Sequence, residues 1–514
     1  MSLSIIKSMS LQGLDGVLIN VEVDISSGMP SWDVVGLPDA SIRESKERVR
    51  TAIKNCGFEV LSRKYIINLS PANIKKEGSM LDLAIAVGIL RSMDVIEECK
   101  LDDTIIVGEL SLDGKINKVN GILPICIESL KYGIKRVILP KENAKEAAIV
   151  KELEIIGVSN LNEVIHFLNK EVNISKEIVD IDEILKNNNK KKVDFSEVKG
   201  QEAIKRALEI AASGGHNCLM IGSPGSGKTM MAKRLHTILP DLTFDESLEI
   251  TKIHSIAGKL GGNSLITERP FRSPHHTISA NGLIGGGKIP KPGEISLSHY
   301  GVLFLDELLE FNRNTLEVLR GPLEDKIVTI SRVGASLTYP CNFMLIASMN
   351  PCPCGYLGSK EKECTCTEKQ KENYRAKLSG PLLDRFDIHI QVPSVDYKKL
   401  KIKSGETSEQ IKKRVDNARK IQLQRYKNQN IYSNSELTPK LIEEYCKLDS
   451  ESIEIFNKAF ERLNFSARAY SKILKVARTI ADLDNSENIE KVHLVESIQY
   501  RSLDRIWEKF KKLQ

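Results

Sequence analysis

Eight consecutive residues, Gly222, Ser223, Pro224, Gly225, Ser226, Gly227, Lys228 and Thr229, carry the most explicit chemistry in the sequence. Glycines at this spacing let a loop turn its backbone N–H groups inward, where they hold phosphate oxygens. A helix starting at the end of the loop adds partial positive charge. Lys228 is then placed to reach the β- and γ-phosphates of a nucleoside triphosphate, and Thr229 to ligate Mg²⁺. Two adjacent carboxylates come next. Asp306 suits a Mg²⁺ ion held largely through water, and Glu307 suits polarisation of an attacking water. Asn350 can orient that water near the γ-phosphate, or it can serve as an ordinary turn residue. The set implies ATP and Mg²⁺ as cofactors.

A second constellation is made of thiols. Cys352 and Cys354 form one close pair, Cys364 and Cys366 another, with nine residues between the pairs. Four thiolates in so short a stretch can surround one tetrahedral Zn²⁺. The C-x-C spacing is less typical than C-x-x-C, and a redox pair or thiols without a partner are the alternatives. No neighbouring acid or base suggests a catalytic metal, so the expected role is a structural Zn²⁺ stiffening the loop after Asn350. Cys56, Cys99, Cys126, Cys218, Cys341 and Cys446 are scattered and read as small buried residues of a reducing compartment.

These groups need elements to position them. The apolar run Cys218–Ile221 predicts a buried strand ahead of the phosphate loop, and Met230–Leu239 predicts the helix after it. Gly301–Leu305 predicts a central parallel strand delivering Asp306 and Glu307 to the carboxyl edge of a sheet. Asn342–Ala347 predicts a third strand leading to Asn350. At 514 residues the chain is too long for one core. Residues 1–170 alternate strand-like runs (Val17–Val23, Tyr65–Leu69, Thr104–Val107, Arg136–Leu139) with helix-like ones (Ser41–Asn55, Leu81–Arg91, Pro124–Tyr132), an α/β or α+β pattern. Residues 171–192 are polar and end in asparagine and lysine runs, which predicts a linker, partly helical near Ile181–Leu185. Residues 193–395 hold the nucleotide motifs. Residues 396–514 have helical patterning at Ser408–Gln429, Thr438–Cys446, Ser450–Leu463, Ser466–Leu483 and Ile489–Gln499.

The order of phosphate loop, Asp-Glu strand and Asn-ended strand resembles the AAA+ ATPases. Leu382–Asp387 and Ser466–Tyr470 extend the likeness. The whole pattern, with Gly28–Pro38 and Arg272–Thr277, resembles the Mg-chelatase-like YifB/ComM family over nearly the full chain. The resemblance implies a multidomain α/β architecture: a central AAA+ P-loop core with a parallel sheet, followed by a helical lid. It implies an arginine finger at Arg385, acting in a neighbouring subunit's site, and a lid arginine at Arg468. A finger supplied in trans implies a homo-oligomeric ring, expected to be hexameric. Val198–Leu208 resembles the segment that closes over adenine in such proteins.

The first domain resembles the proteolytic domain of Lon-type proteases, which implies a ribosomal-protein-S5-like α+β fold. The likeness rests on Glu77–Ala84, Val107–Gly114 and Gly133–Pro140. Lon peptidases use a serine activated by a lysine. Those positions fall on Met80 and near Leu123, and an apolar side chain replaces neither a nucleophile nor its base. A dyad shifted to Ser79 with Lys115 or Lys118 is the alternative. The domain is expected to be non-proteolytic.

Three classes of work fit such a ring: a DNA motor driving branch migration in uptake and recombination, a metal-insertion chaperone, and an ATP-driven protease or protein remodeler. The first is preferred, with single-stranded or branched DNA as partner. Two loops are candidates to meet it. Thr267–Ser298 carries Gly282, Gly285, Gly286, Gly287, Lys288 and Lys291, and Ile327–Tyr339 reads as a hairpin tipped by Ser331–Gly334 with Arg332. Tyr397–Asn430 holds eleven basic and three acidic residues, a surplus larger than the chain's net +6. It reads equally as a nucleic-acid surface, or as a basic helix face that is solvated or turned to a neighbouring subunit. His275 and His276 are too few for a metal site and read as loop residues. The N-terminus lacks a charged segment followed by a long apolar run, and the longest apolar run, Leu81–Leu90, is interrupted by Asp82. A cytoplasmic protein with no membrane partner is expected.

Overall fold

The computed structural model describes residues 3–501 apart from 98–99, 187–192, 288–289, 333–334, 360–361, 394–404, 430 and 464. The chain divides into two compact units, Met1–Asn188 with Phe244–Thr267, and Asn189–Thr243 with Glu268–Gln514.

The first unit is built on a seven-stranded mixed sheet in the order Ser31–Val35, Lys64–Ser70, Asp15–Ser26, Ser4–Gln12, Thr104–Ile106, Arg136–Pro140, Glu154–Val158. Strand Lys64–Ser70 alternates buried with half-buried residues along its length, as a sheet with one face on a core requires. Helix Asp82–Ser92 is buried along nearly its whole length. The Asp82 carboxylate that interrupts its apolar run accepts hydrogen bonds from Arg48 Nε at 3.0 Å and from Ser45 Oγ. That pairing is what allows a charge inside the packed helix. Part of the expected linker also packs here. Helix Ile181–Lys186 forms as anticipated, and Val179, Ile181, Ile184 and Leu185 join the apolar cluster around Ile122 and Val137. Residues 244–267 follow the phosphate-loop helix in sequence but belong to this first unit. Leu248 and Leu265 join the same cluster, and Ser255 Oγ donates to Glu146 at 2.5 Å.

The second unit carries a five-stranded sheet in the order Phe271–Arg272, Val302–Leu305, Met344–Met349, Cys218–Gly222, Ile388–Val392. Every pairing in it is parallel. Its three central strands are buried at every position, the signature of a parallel sheet covered on both faces. Met344–Met349 lies between the phosphate-loop strand and the Asp306 strand, so Asn350 emerges beside both. This strand begins two residues later than the sequence predicts and takes in Ser348, because its register is set by Cys218 opposite Ile346.

Helices Ser408–Arg425, Pro439–Tyr445, Ser450–Leu463, Ala467–Leu483 and Lys491–Gln499 follow. Asp482, fully buried, ties them together: it accepts from Arg425 at 2.6 and 3.0 Å, from Arg478 at 3.1 Å and from Asn434 at 2.8 Å. Among the described residues, no helix is long and apolar enough to cross a membrane.

Candidate nucleotide site and cysteine cluster

Strand Cys218–Gly222 runs into the phosphate loop, and helix Lys228–Arg234 leaves it. Gly225 and Gly227 take φ of 78° and 86°, a region costly for residues with a Cβ. Lys228 fills the loop's interior. Its Nζ donates to Gly222 O at 2.7 Å, to Ser223 O at 2.9 Å and to Asn350 Oδ1 at 3.4 Å. Burial pushes its pKa down, while Asp306 and Glu307 pull it back up. An ammonium held by carbonyls at this spot can exchange them for phosphate oxygens. Gln201, from the segment expected near adenine, is buried and donates to Ser226 O at 2.9 Å, bracing the loop from behind.

Asp306 lies across from Lys228 at the sheet edge. Thr229 Oγ1 donates to its Oδ2 at 2.6 Å, and Ser348 Oγ donates to its Oδ1. Hard divalent cations take oxygen ligands of this kind, and the hydroxyl and carboxylate lie together at the mouth of the phosphate loop. Glu307 follows with φ 53°, unusual for a non-glycine residue and the kind of strain that collects at functional sites. Its N–H donates to Asp306 Oδ1 at 3.1 Å, and its Oε2 lies 3.9 Å from His276 Nδ1. The sequence reading missed Ser348 and His276. Ser348 is a buried hydroxyl in an otherwise apolar strand, a detectable signal. His276 sat in a motif already noted, yet its neighbour Glu307 is thirty-one residues away in sequence.

Lys228, Thr229, Asp306, Glu307 and Asn350 therefore converge, and the two arginines bond elsewhere. Arg385 pairs with Glu324, and Arg468 lies 3.5 Å from Asp384. The segment carrying Arg385 is held firmly. Asn217 Nδ2 donates to Arg385 O at 3.0 Å, and Lys472 meets Asp387 at 2.8 Å. Burial alone would raise the Asp387 carboxyl, but the Lys472 ammonium and His216 outweigh it and hold the group well below the usual range. Helix Ala467–Leu483, which carries both Lys472 and Arg468, is thus tied to the segment that carries Arg385.

The four cysteines do come together. The Sγ of Cys352 lies 3.4 Å from that of Cys354 and 3.6 Å from that of Cys364, and Cys354 and Cys364 are 3.6 Å apart. With Cys366, all four lie within 4.8 Å of one another. A tetrahedral Zn²⁺ with 2.3 Å bonds sets sulfurs about 3.8 Å apart, so the set fits that ion. The N–H of Tyr356 draws the Cys354 thiol down to about 6, and burial pushes Cys352 up to about 12.

Comparison with known proteins places the chain in a family. The family model described as magnesium chelatase, subunit ChlI, matches residues 194–400, its C-terminal counterpart matches 405–501, and a subunit ChlI model matches 21–143. YifB of Escherichia coli is 41% identical over 100% of both chains. Competence protein ComM of Haemophilus influenzae is 40% identical, again over 100% of both. The chain belongs to the Mg-chelatase-like YifB/ComM family. Within this YifB/ComM chain, 29% of the sequence is also 29% identical to Lon protease 2 of Bacillus subtilis, covering 30% of that protein.

The positions that the Lon-type likeness assigns to serine and lysine carry apolar side chains, Met80 and Leu123. Leu123 is wholly buried among apolar residues, and Met80 packs against the core. Ser79 donates to the Glu109 carboxylate, and Lys115 and Lys118 are exposed. The loops expected to meet DNA are partly described. Gly285–Gly286 pairs with Lys291–Pro292, and Ile327–Arg332 with Ala335–Pro340. The two hairpins touch: Tyr339 donates to Pro290 O at 3.2 Å. Lys288 and the tip at 333–334 lie outside the described residues. The basic stretch is less free than charge counting implies. Residues 397–404 lie outside the described set, while Lys412 pairs with Asp241, Arg414 with Glu209 and Glu406, and Arg425 with Asp482.

Proposed function

We propose that this chain hydrolyses ATP with Mg²⁺ as a homo-oligomeric ring and uses the energy to drive strand movement on single-stranded or branched DNA, in DNA uptake and recombination. The observation that carries the reading is the convergence of Lys228, Asn350, Thr229 and Asp306 around one point at the sheet edge. Lys228 holds the β- and γ-phosphates, Thr229 and Asp306 hold Mg²⁺, Glu307 accepts a proton from the attacking water, and Asn350 orients that water. The metal supplies charge neutralisation at the phosphates. Arg385, paired away from its own phosphate loop, completes a neighbour's site, and Arg468 reports nucleotide to the lid. DNA as the substrate is supported by the competence protein among the full-length relatives and by the paired glycine-bearing hairpins. A fluorescently labelled four-way junction is the test. Branch migration is expected with ATP and absent with a non-hydrolysable analogue; no migration under either condition removes the DNA reading.

The cysteine cluster is assigned a structural Zn²⁺. Purified protein is expected to hold about one zinc per chain, and Cys352→Ser to hold none, by metal analysis. A metal-free wild type removes the assignment.

A further inference from the structure

The four-cysteine loop lies against the phosphate loop. Gly355 sits between the two cysteine pairs with φ 82°. A Cβ at this position would meet Pro224 Cδ at 2.5 Å and Cγ at 2.7 Å, with Asn350 Cγ at 3.8 Å. Pro224 is part of the phosphate loop, and Asn350 is the residue bonded to Lys228. The turn that places Gly355 belongs to the thiol cluster itself. Gly355 N–H donates to Cys352 O at 2.9 Å, and Cys354 N–H donates to Cys366 Sγ at 3.3 Å. Two further contacts follow from the helix just beyond the cysteines. Burial raises the Tyr374 hydroxyl and the nearby N–H of Asn350 draws it back down, and Lys377 Nζ donates to Leu309 O at 3.0 Å. Leu309 is two residues past Glu307. One short segment thus touches the phosphate loop, the Asn350 turn and the strand end after the acidic pair.

We propose that the cysteine loop is a metal-dependent brace for the nucleotide site, with Gly355 as the positioning residue that seats it on Pro224 and Asn350. The inference rests on the nucleotide and zinc assignments above and adds their coupling. A metal joining four sulfurs fixes the turn at Gly355, and that turn backs the phosphate loop from the side of Asn350. Without the metal, the four thiols have no ion to close them, and the backing loosens. Zinc then governs nucleotide affinity without touching a phosphate.

A built-in control sits three residues away. Gly358 has φ 77°, and a Cβ there would meet nothing within 4 Å. Gly358→Ala therefore carries a similar backbone cost without the clash against Pro224. The experiment measures affinity for a fluorescent ATP analogue with Mg²⁺, together with zinc content and circular dichroism. Wild type, Gly355→Ala, Gly358→Ala and wild type stripped of zinc by a chelator are compared. Gly355→Ala is expected to bind nucleotide at least about tenfold more weakly while keeping its zinc and helix content. Gly358→Ala is expected to stay within about twofold of wild type. Zinc-stripped wild type is expected to fall toward the Gly355→Ala value and to recover when zinc is restored. Wild-type affinity in both Gly355→Ala and the stripped protein overturns the brace and leaves the nucleotide site standing. A wild type that binds zinc but no nucleotide overturns the nucleotide reading, and the brace with it.

Discussion

Replacing Arg385 with alanine is expected to slow ATP turnover by about 10³–10⁵-fold while leaving ATP affinity near that of wild type. The magnitude is that of a guanidinium stabilising charge on a transferring γ-phosphoryl group. Affinity survives because Arg385 pairs with Glu324 and takes no part in the set around Lys228. The segment that carries it is pinned by Asn217 and by the Asp387–Lys472 pair, so the truncation removes a charge without loosening its surroundings. Phosphate release and fluorescent-nucleotide binding, measured on the same preparation, separate the two effects. Mixing gives a sharper result. Rings of Arg385→Ala and Lys228→Ala subunits should recover part of the activity, since a Lys228→Ala subunit supplies its finger to an Arg385→Ala neighbour with an intact phosphate loop. Normal turnover by Arg385→Ala alone removes the finger.

Lys228→Ala is expected to act on both steps. Its ammonium is buried and meets two loop carbonyls and Asn350. Alanine removes a positive charge that interacts with Asp306 and Glu307 and leaves the phosphates without a cation. Losing one partner of a buried charge pair costs about 2–5 kcal/mol, so ATP affinity should fall by about 30-fold or more, with no measurable turnover. Equilibrium binding by nucleotide fluorescence checks it. Affinity equal to wild type would mean that phosphates do not reach this loop.

The groups legible in the sequence are those whose chemistry is local. The phosphate loop is contiguous, and the Asp306–Glu307 pair announces itself by ending an apolar run. The cysteines crowd into fifteen residues, so their spatial cluster follows from chain connectivity. Contacts made by folding were harder to read. Ser348 joins Asp306 because two strands pair, His276 reaches Glu307 from a distant loop, and Gly355 meets Pro224 from 131 residues away. None has a local periodicity to betray it. Residues 244–267 follow the phosphate-loop helix in sequence, yet their apolar side chains fill the other unit's core. Charge counting on the segment at Tyr397–Asn430 misses pairings for a related reason. A basic residue in a sequence carries no sign of the carboxylate it meets, and Lys412, Arg414 and Arg425 are all committed to partners within the same unit. The DNA reading therefore leans on the two hairpins more than on that helix.

ATP hydrolysis by the purified chain, measured at low salt with and without four-way-junction DNA, tests the proposed motor most directly, with Lys228→Ala as the blank. The expected result is hydrolysis that rises when DNA is added, loses that rise as salt is increased, and is absent from Lys228→Ala. Hydrolysis indifferent to DNA at low salt, or undiminished in Lys228→Ala, would contradict it.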